Sequence, residues 1–276
     1  MKKQNRNINI SFDILSDIHI DKILYKNTLP NIKDFTFKLY SKRINKYLLV
    51  CGDIADDYQS LVTFLFESCK YYKKVVFVFG NHDLFITKED RNLDIFYSLE
   101  KIEKLKKEKI NNLYILDGDI VEIEGVKIGG TCGWYDGNYT MKNLNPHYVK
   151  DWMFLEHLWS EYIDGKYIIG FESFNEYWFK EKIKLKKLSK KVDIMLTHML
   201  PSISQKNIQN KYKREDLTSF YCFDGKDFMK NNQMKFWIYG HTHENLEFEE
   251  ESVKCINSSP FLNKKGELEL KTLKYL

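Results

Sequence analysis

The 276-residue chain has no apolar run approaching the roughly 18 residues of a membrane-spanning helix. Residues 1–15, MKKQNRNINISFDIL, lack the apolar segment and small-residue cleavage site of a secretory signal. Both absences predict a cytoplasmic protein without a membrane partner. The five cysteines (Cys51, Cys69, Cys132, Cys222, Cys255) are odd in number, widely spaced and contain no CxxC. That pattern argues against a disulfide framework or a zinc knuckle and predicts reduced, structural thiols. Only four arginines are present, which removes the usual bidentate readers of phosphate. A net charge of +4, with basic and acidic residues interleaved, does not indicate nucleic acid as a partner. The lysine-rich stretches 104–109 and 180–191 fall on helical patterns with Glu between the lysines and read as solvated helix faces.

What is present is an ordinary globular composition, 43% hydrophobic and 30% charged, long enough to bury a full core. Apolar runs at 8–15, 47–51 and 75–79 read as strands, and amphipathic stretches at 33–45, 57–72 and 90–109 as helices. This βαβαβα order favours a parallel sheet with crossover helices. Runs at 113–116, 120–123 and 126–130 follow too closely for helices between them, with Glu124-Gly125 as a turn, so the sheet becomes mixed. Residues 145–179 differ in composition, holding eleven aromatics, Trp152, Trp159 and Trp178 among them. They read as a helical insert with a small core of its own, or as a cap that stacks on a substrate ring. Strands resume at 192–196, 236–239, 246–249, 253–256 and 268–272. With no internal repeat or low-complexity linker, residues 1–276 form one domain carrying an insert at about 145–179.

Polar residues recur where the buried strands end. The first strand runs into Ser16-Asp17-Ile18-His19, the second into Gly52-Asp53-Ile54-Ala55-Asp56, the third into Gly80-Asn81-His82-Asp83. Later runs lead to Thr197-His198 and Gly240-His241-Thr242-His243, so five of the seven histidines lie just past a strand. Ligands of α/β sheets bind at the carboxyl ends of the strands, where such positions converge. Asp, Asn and neutral His offer oxygen and imidazole donors suited to borderline or hard divalent ions, and no thiolate set competes. An extended backbone would send both members of Asp17-x-His19, and both of His241-x-His243, to one side. The number of donors exceeds one ion's needs, and two ions sharing Asp53 as a bridge account for it.

In order and spacing, these five motifs resemble those of the calcineurin-like metallophosphoesterases, over about residues 10–260. The resemblance implies an α/β four-layer αββα sandwich, two packed mixed sheets flanked by helices. It implies one divalent ion held by Asp17, His19, Asp53 and His243, and a second by Asp53, Asn81, His198 and His241. The ions would be Mn, Fe, Zn or Co, with manganese the leading candidate. The implied reaction is hydrolysis of a phosphoester by a hydroxide bridging the ions, with His82 as general acid. Asp56, from the Gly-Asp-x-x-Asp pattern, is its orienting partner and Asp57 the fallback, while Asp83 reads as capping the following turn or organising the loop and not as a ligand. Asp57 stands where the protein Ser/Thr phosphatases carry Arg, and Leu84 follows Asp83, so the chain looks like a compact bacterial or phage-type member instead. His147 and His157 match no motif and read as packing or surface residues. Gly133-Trp134-Tyr135-Asp136 is a candidate substrate flank. The expected partner is a small or nucleotide-like phosphoester, taken by a phosphodiesterase or phosphatase. The alternatives are a nuclease on single-stranded nucleic acid and, in another class, a non-catalytic metal-binding scaffold.

Overall fold

In a computed structural model, the structure describes residues 9–24, 28–143, 174–210, 213, 216–230, 233–262 and 268–275. Two sheets form the centre. The first contains β1 (Ile10–Leu15), β2 (Tyr47–Cys51), β3 (Lys74–Val78) and β4 (Leu113–Ile115), mutually parallel. The second is ordered β5 (Asp119–Ile123), β6 (Val126–Gly130), β7 (Ile194–Leu196), β8 (Phe236–Tyr239), β10 (Val253–Asn257), β9 (Glu247–Glu250). Strands β6, β7, β8 and β10 run parallel, and β5 and β9 close the edges antiparallel. Two short strands, β11 (Phe261–Leu262) and β12 (Leu268–Glu269), pair antiparallel in a ribbon of their own. The chain then returns to the first sheet, where β13 (Lys271–Tyr275) lies antiparallel on the free edge of β1.

Alternation with period two explains how the sheets meet. Ile10, Phe12 and Ile14 of β1, Tyr47 and Leu49 of β2, and Val76 and Val78 of β3 share one buried cluster with Val126, Ile128, Ile194, Leu196 and Ile238 of the other sheet. The intervening residues, such as Leu48, Val50, Val75 and Phe77, join a larger cluster with the helices. Each sheet thus buries one face on its partner and the other under helices, the expected layered arrangement.

Among the described residues the α-helices are α1 (Ile20–Ile23), α2 (Leu29–Tyr40), α3 (Tyr58–Ser68), α4 (Lys88–Arg91), α5 (Ser98–Lys107), α6 (Asn138–Asn143), α7 (Phe174–Ser189) and α8 (Lys226–Met229). None among the described residues is long and apolar enough to cross a membrane. Three expectations need correction. The helix expected over 90–109 is two, because the chain breaks at Asp94 (φ +57°) and Glu100 caps a new start by accepting the N–H groups of Phe96 and Tyr97. The strand expected over 268–272 is interrupted at Leu270 and divided between β12 and β13, of which β13 covers the edge of β1. The 180–191 stretch is not wholly solvated: Glu181 of α7 is buried, accepts hydrogen bonds from Thr131 Oγ1 and the N–H of Gly133, and pairs with Lys184. Residues 174–179, grouped with the insert on composition, open α7. The rest of that insert, with Trp152, Trp159, His147 and His157, lies outside the described residues. All five cysteines are free.

Candidate metal centre

The parallel strands of both sheets end on one rim. Asp17 and His19 follow β1, Asp53 follows β2, Asn81 and His82 follow β3, His198 follows β7, and His241 and His243 follow β8. The fold brings all seven residues expected as ligands to this rim. Donor atoms of Asp17, His19 and His243 lie within 4.8 Å of one another, and those of Asp53, His198 and His241 do likewise. Asp53 stands between the groups, its Oδ2 at 3.2 Å from His198 Nε2 and 3.8 Å from His19 Nε2.

Convergence is achieved differently from the extended pairs expected. Asp17, His19, Asp53, His241 and His243 have φ of 54°, 45°, 56°, 66° and 50°, all in the left-handed region. Such backbone costs a non-glycine residue about 1–3 kcal/mol and persists only where its surroundings over-determine it. The surroundings here are strand ends in contact. A Cβ on Gly52 (φ +79°) would stand 2.3 Å from the Gly80 nitrogen, and one on Gly80 would stand 2.1 Å from Asp53 Oδ1. The motif glycines therefore allow β2 and β3 to close on each other beneath the site.

Further contacts orient the side chains. His198 Nδ1 lies 2.7 Å from the Cys51 carbonyl and His241 Nε2 lies 3.2 Å from the Phe220 carbonyl. If each of those nitrogens carries the proton, His198 Nε2 and His241 Nδ1, 3.1 Å apart, are left as the acceptors facing each other. Asp17 is held by Ser16, by Ser259 Oγ at 2.6 Å and by the N–H of His241. Asp83, buried, receives four backbone N–H groups: Gly80 (2.8 Å), Asp53 (2.7 Å), Ile54 (2.8 Å) and Ala55 (3.1 Å). It organises the loop, as expected. Burial and the charge of Asp53 push its carboxyl up to about 7, against the opposing pull of those amides.

The electrostatics differ from one histidine of the centre to the next. Burial disfavours a charged His198, yet Asp53 outweighs it and raises the group to about 9. Burial likewise opposes ionisation of Asp53, but His198 and His82 hold it well below the usual carboxylate range. Burial lowers His19 to about 4, and burial with the neighbouring His198 holds His241 well below the imidazole range. The field that protonates His198 would equally hold a metal cation.

His82 stands at the exposed side of the cluster. Its Nδ1 lies 2.7 Å from Asp56 Oδ1, its ring meets His19 edge-on at 4.7 Å, and Phe85 packs on it at 4.5 Å. Burial works against its charged form, but Asp53 and Asp56 together raise its pKa. Asp57 is not the partner: it caps α3, its Oδ1 accepting the N–H of Ser60. Lys22, unnoticed in the sequence, places Nζ 3.0 Å from His82 Nδ1 and 3.5 Å from Asp56 Oδ1. Its position three residues past His19, on the turn that leaves the motif, was the available signal.

The Gly133–Asp136 segment is not a substrate flank. Trp134 and Tyr135 are buried, Trp134 packing on Tyr177 and Tyr135 on Phe220, while Asp136 accepts the N–H groups of Asn138 and Asp224. Instead it backs the Phe220 segment that holds His241. A cavity of about 330 Å³ opens beside His241 and His243, lined also by Leu200, Ile208, Tyr221 and Glu244. A larger one, about 960 Å³, lies between α2 and β13 and contains none of the site residues.

The family model described as calcineurin-like phosphoesterase matches residues 10–245. No curated protein matches the sequence. Among solved structures, the phosphopantetheinyl hydrolase from Mycobacterium tuberculosis is similar at 13% identity, with 90% of this chain and 88% of that one covered and a TM-score of 0.68, a likeness of fold. The protein TT1561 of Thermus thermophilus is 11% identical over 96% of this chain and 99% of its own, with a TM-score of 0.49.

Proposed function

We propose that this chain, which belongs to the calcineurin-like phosphoesterase family and is a metal-dependent phosphoester hydrolase, holds two divalent ions at the strand ends and hydrolyses a small or nucleotide-like phosphoester with His82 as general acid. Asp17, His19, Asp53 and His243 would hold one ion, and Asp53, Asn81, His198 and His241 the other. The observation that carries this reading is Asn81: its Oδ1 is buried without a hydrogen-bond partner. An amide oxygen left unpaired costs about 1–3 kcal/mol, and a cation removes that cost. Carboxylate, imidazole and amide donors suit Mn, Fe, Zn or Co, manganese first. Bound ions would supply an activated water and neutralise the phosphoryl oxygens.

The chain's own groups do the rest. The Cys51 and Phe220 carbonyls keep His198 and His241 in the tautomers that leave their inner nitrogens as acceptors. Asp56 holds His82 Nδ1–H, which leaves Nε2–H to protonate the departing alkoxide, a contribution of about 10²–10⁴-fold in rate. The cavity beside His241 has the size of a small-molecule site, and the Tyr221 ring, 4.8 Å from that of His241, offers a face for a base or aryl group.

The experiment is hydrolysis of bis-p-nitrophenyl phosphate and p-nitrophenyl phosphate by protein stripped of metal and reloaded with Mn. Metal-dependent turnover is expected, and the faster substrate tells diesterase from monoesterase. Two bound metals with no turnover of either compound would count against the hydrolytic mechanism at this site.

A further inference from the structure

Lys101 is fully buried, and its ammonium donates to three oxygens: the carbonyl of Asp56, the carbonyl of Phe85 at 2.8 Å, and Asp90 Oδ2 at 3.1 Å. All three of its protons are thereby used. Asp90 is equally buried; its Oδ1 accepts the N–H of Tyr58 at 2.7 Å and its Oδ2 that of Thr87 at 3.0 Å. A buried ion pair is seldom retained for stability alone, because a hydrophobic pair of similar volume does as well. What it supplies is direction.

The two carbonyls belong to the two residues that flank the His82 ring. Asp56 accepts from Nδ1 at 2.7 Å, and the Phe85 ring packs against the imidazole, tilted by 57°, with centroids 4.5 Å apart. One ammonium, reaching in from α5, ties the loop after β2 to the loop after β3 on both sides of that imidazole. The sequence carries the signal, since Ser98, Lys101, Ile102 and Leu105 are the buried residues of α5 at helical spacing, which puts Lys101 on the inward face.

We propose that Lys101 and Asp90 are a positioning pair that fixes the orientation of His82 toward the leaving group. This rests on the reading of His82 as general acid. The pair touches neither the proposed ligands' side chains nor the substrate cavity, so its removal changes proton donation and leaves the metals in place.

The test compares Lys101→Met, Asp90→Asn and His82→Ala in Mn-loaded protein, with kcat measured on aryl phosphates from p-nitrophenyl to unsubstituted phenyl and with metal content determined in parallel. Lys101→Met should retain both metals, lose about 10²-fold on the phenyl ester and much less on the p-nitrophenyl ester. Combined with His82→Ala it should cost no more on the phenyl ester than His82→Ala alone. Asp90→Asn, the milder change, should show the same selectivity and carries the test if Lys101→Met does not fold. Equal losses on all esters, or losses that add to those of His82→Ala, would overturn the proposal while leaving the acid in place. Absence of leaving-group selectivity in His82→Ala itself would overturn the acid reading, and this proposal with it.

Discussion

Asp83 Oδ2 accepts the backbone N–H of Asp53 at 2.7 Å, so a carboxylate that is not a proposed ligand fixes the residue proposed to bridge the ions. The substitution Asp83→Asn would replace one acceptor oxygen by an amide nitrogen, turning a donor toward two of the four N–H groups received there. It should therefore lower stability by about 2–5 kcal/mol, the cost of two buried donors left unpaired. Denaturant unfolding checks this, and an unchanged midpoint would rule out the organising role.

Asp53 Oδ2 faces both His19 and His198. Asp53→Asn keeps the shape and removes the shared charge, so both metal occupancy and hydrolysis should fall. Metal analysis of the purified variant decides it: a full complement of metal would refute the bridge.

Against burial, Asp53 and the Asp56 contact together raise the pKa of His82, and the Asp56 share gives a signed pH prediction. A histidine raised above its unfolded value contributes stability that is present below the unfolded pKa and is lost as pH rises through the folded one. In metal-free protein, Asp56→Asn should remove part of that contribution on the acid side and shift the His82 NMR titration to lower pH. In loaded enzyme the acid must be protonated, so the alkaline limb of the rate profile should move to lower pH as well. A profile that stays in place would separate Asp56 from the acid.

Tyr221 is the exposed aromatic of the cavity beside His241. Tyr221→Ala should raise KM roughly fivefold or more for a nucleoside p-nitrophenyl phosphate, from lost stacking, and leave methyl p-nitrophenyl phosphate unchanged. Equal effects on both esters would remove the ring-binding role.

The motif residues were legible because each follows a buried apolar run, and a parallel sheet places the ends of such runs on one rim. Asp17, His19, Asp53, Asn81, His82, His198, His241 and His243 all follow from that rule. Read through the family resemblance, local pattern also ranked Asp56 ahead of Asp57, and the structure gives Asp56 the His82 contact and Asp57 the start of α3. It misjudged the Asp-x-His and His-x-His pairs, because left-handed backbone at non-glycine residues is imposed by touching strand ends and not by the residues themselves.

Sequence by itself determined the succession of the first strands and the chemistry of the rim, which depend on periodicity and residue type within short windows, while the two-sheet layering came only through the family resemblance. Only the tertiary structure decided that β13 returns to the edge of β1, that Phe220, Cys51 and Ser259 hold His241, His198 and Asp17, and that Lys101 serves the loops around His82. Those contacts join residues far apart in the chain. Their partners are selected by packing and by the need to satisfy buried polar groups, which no short stretch of sequence encodes.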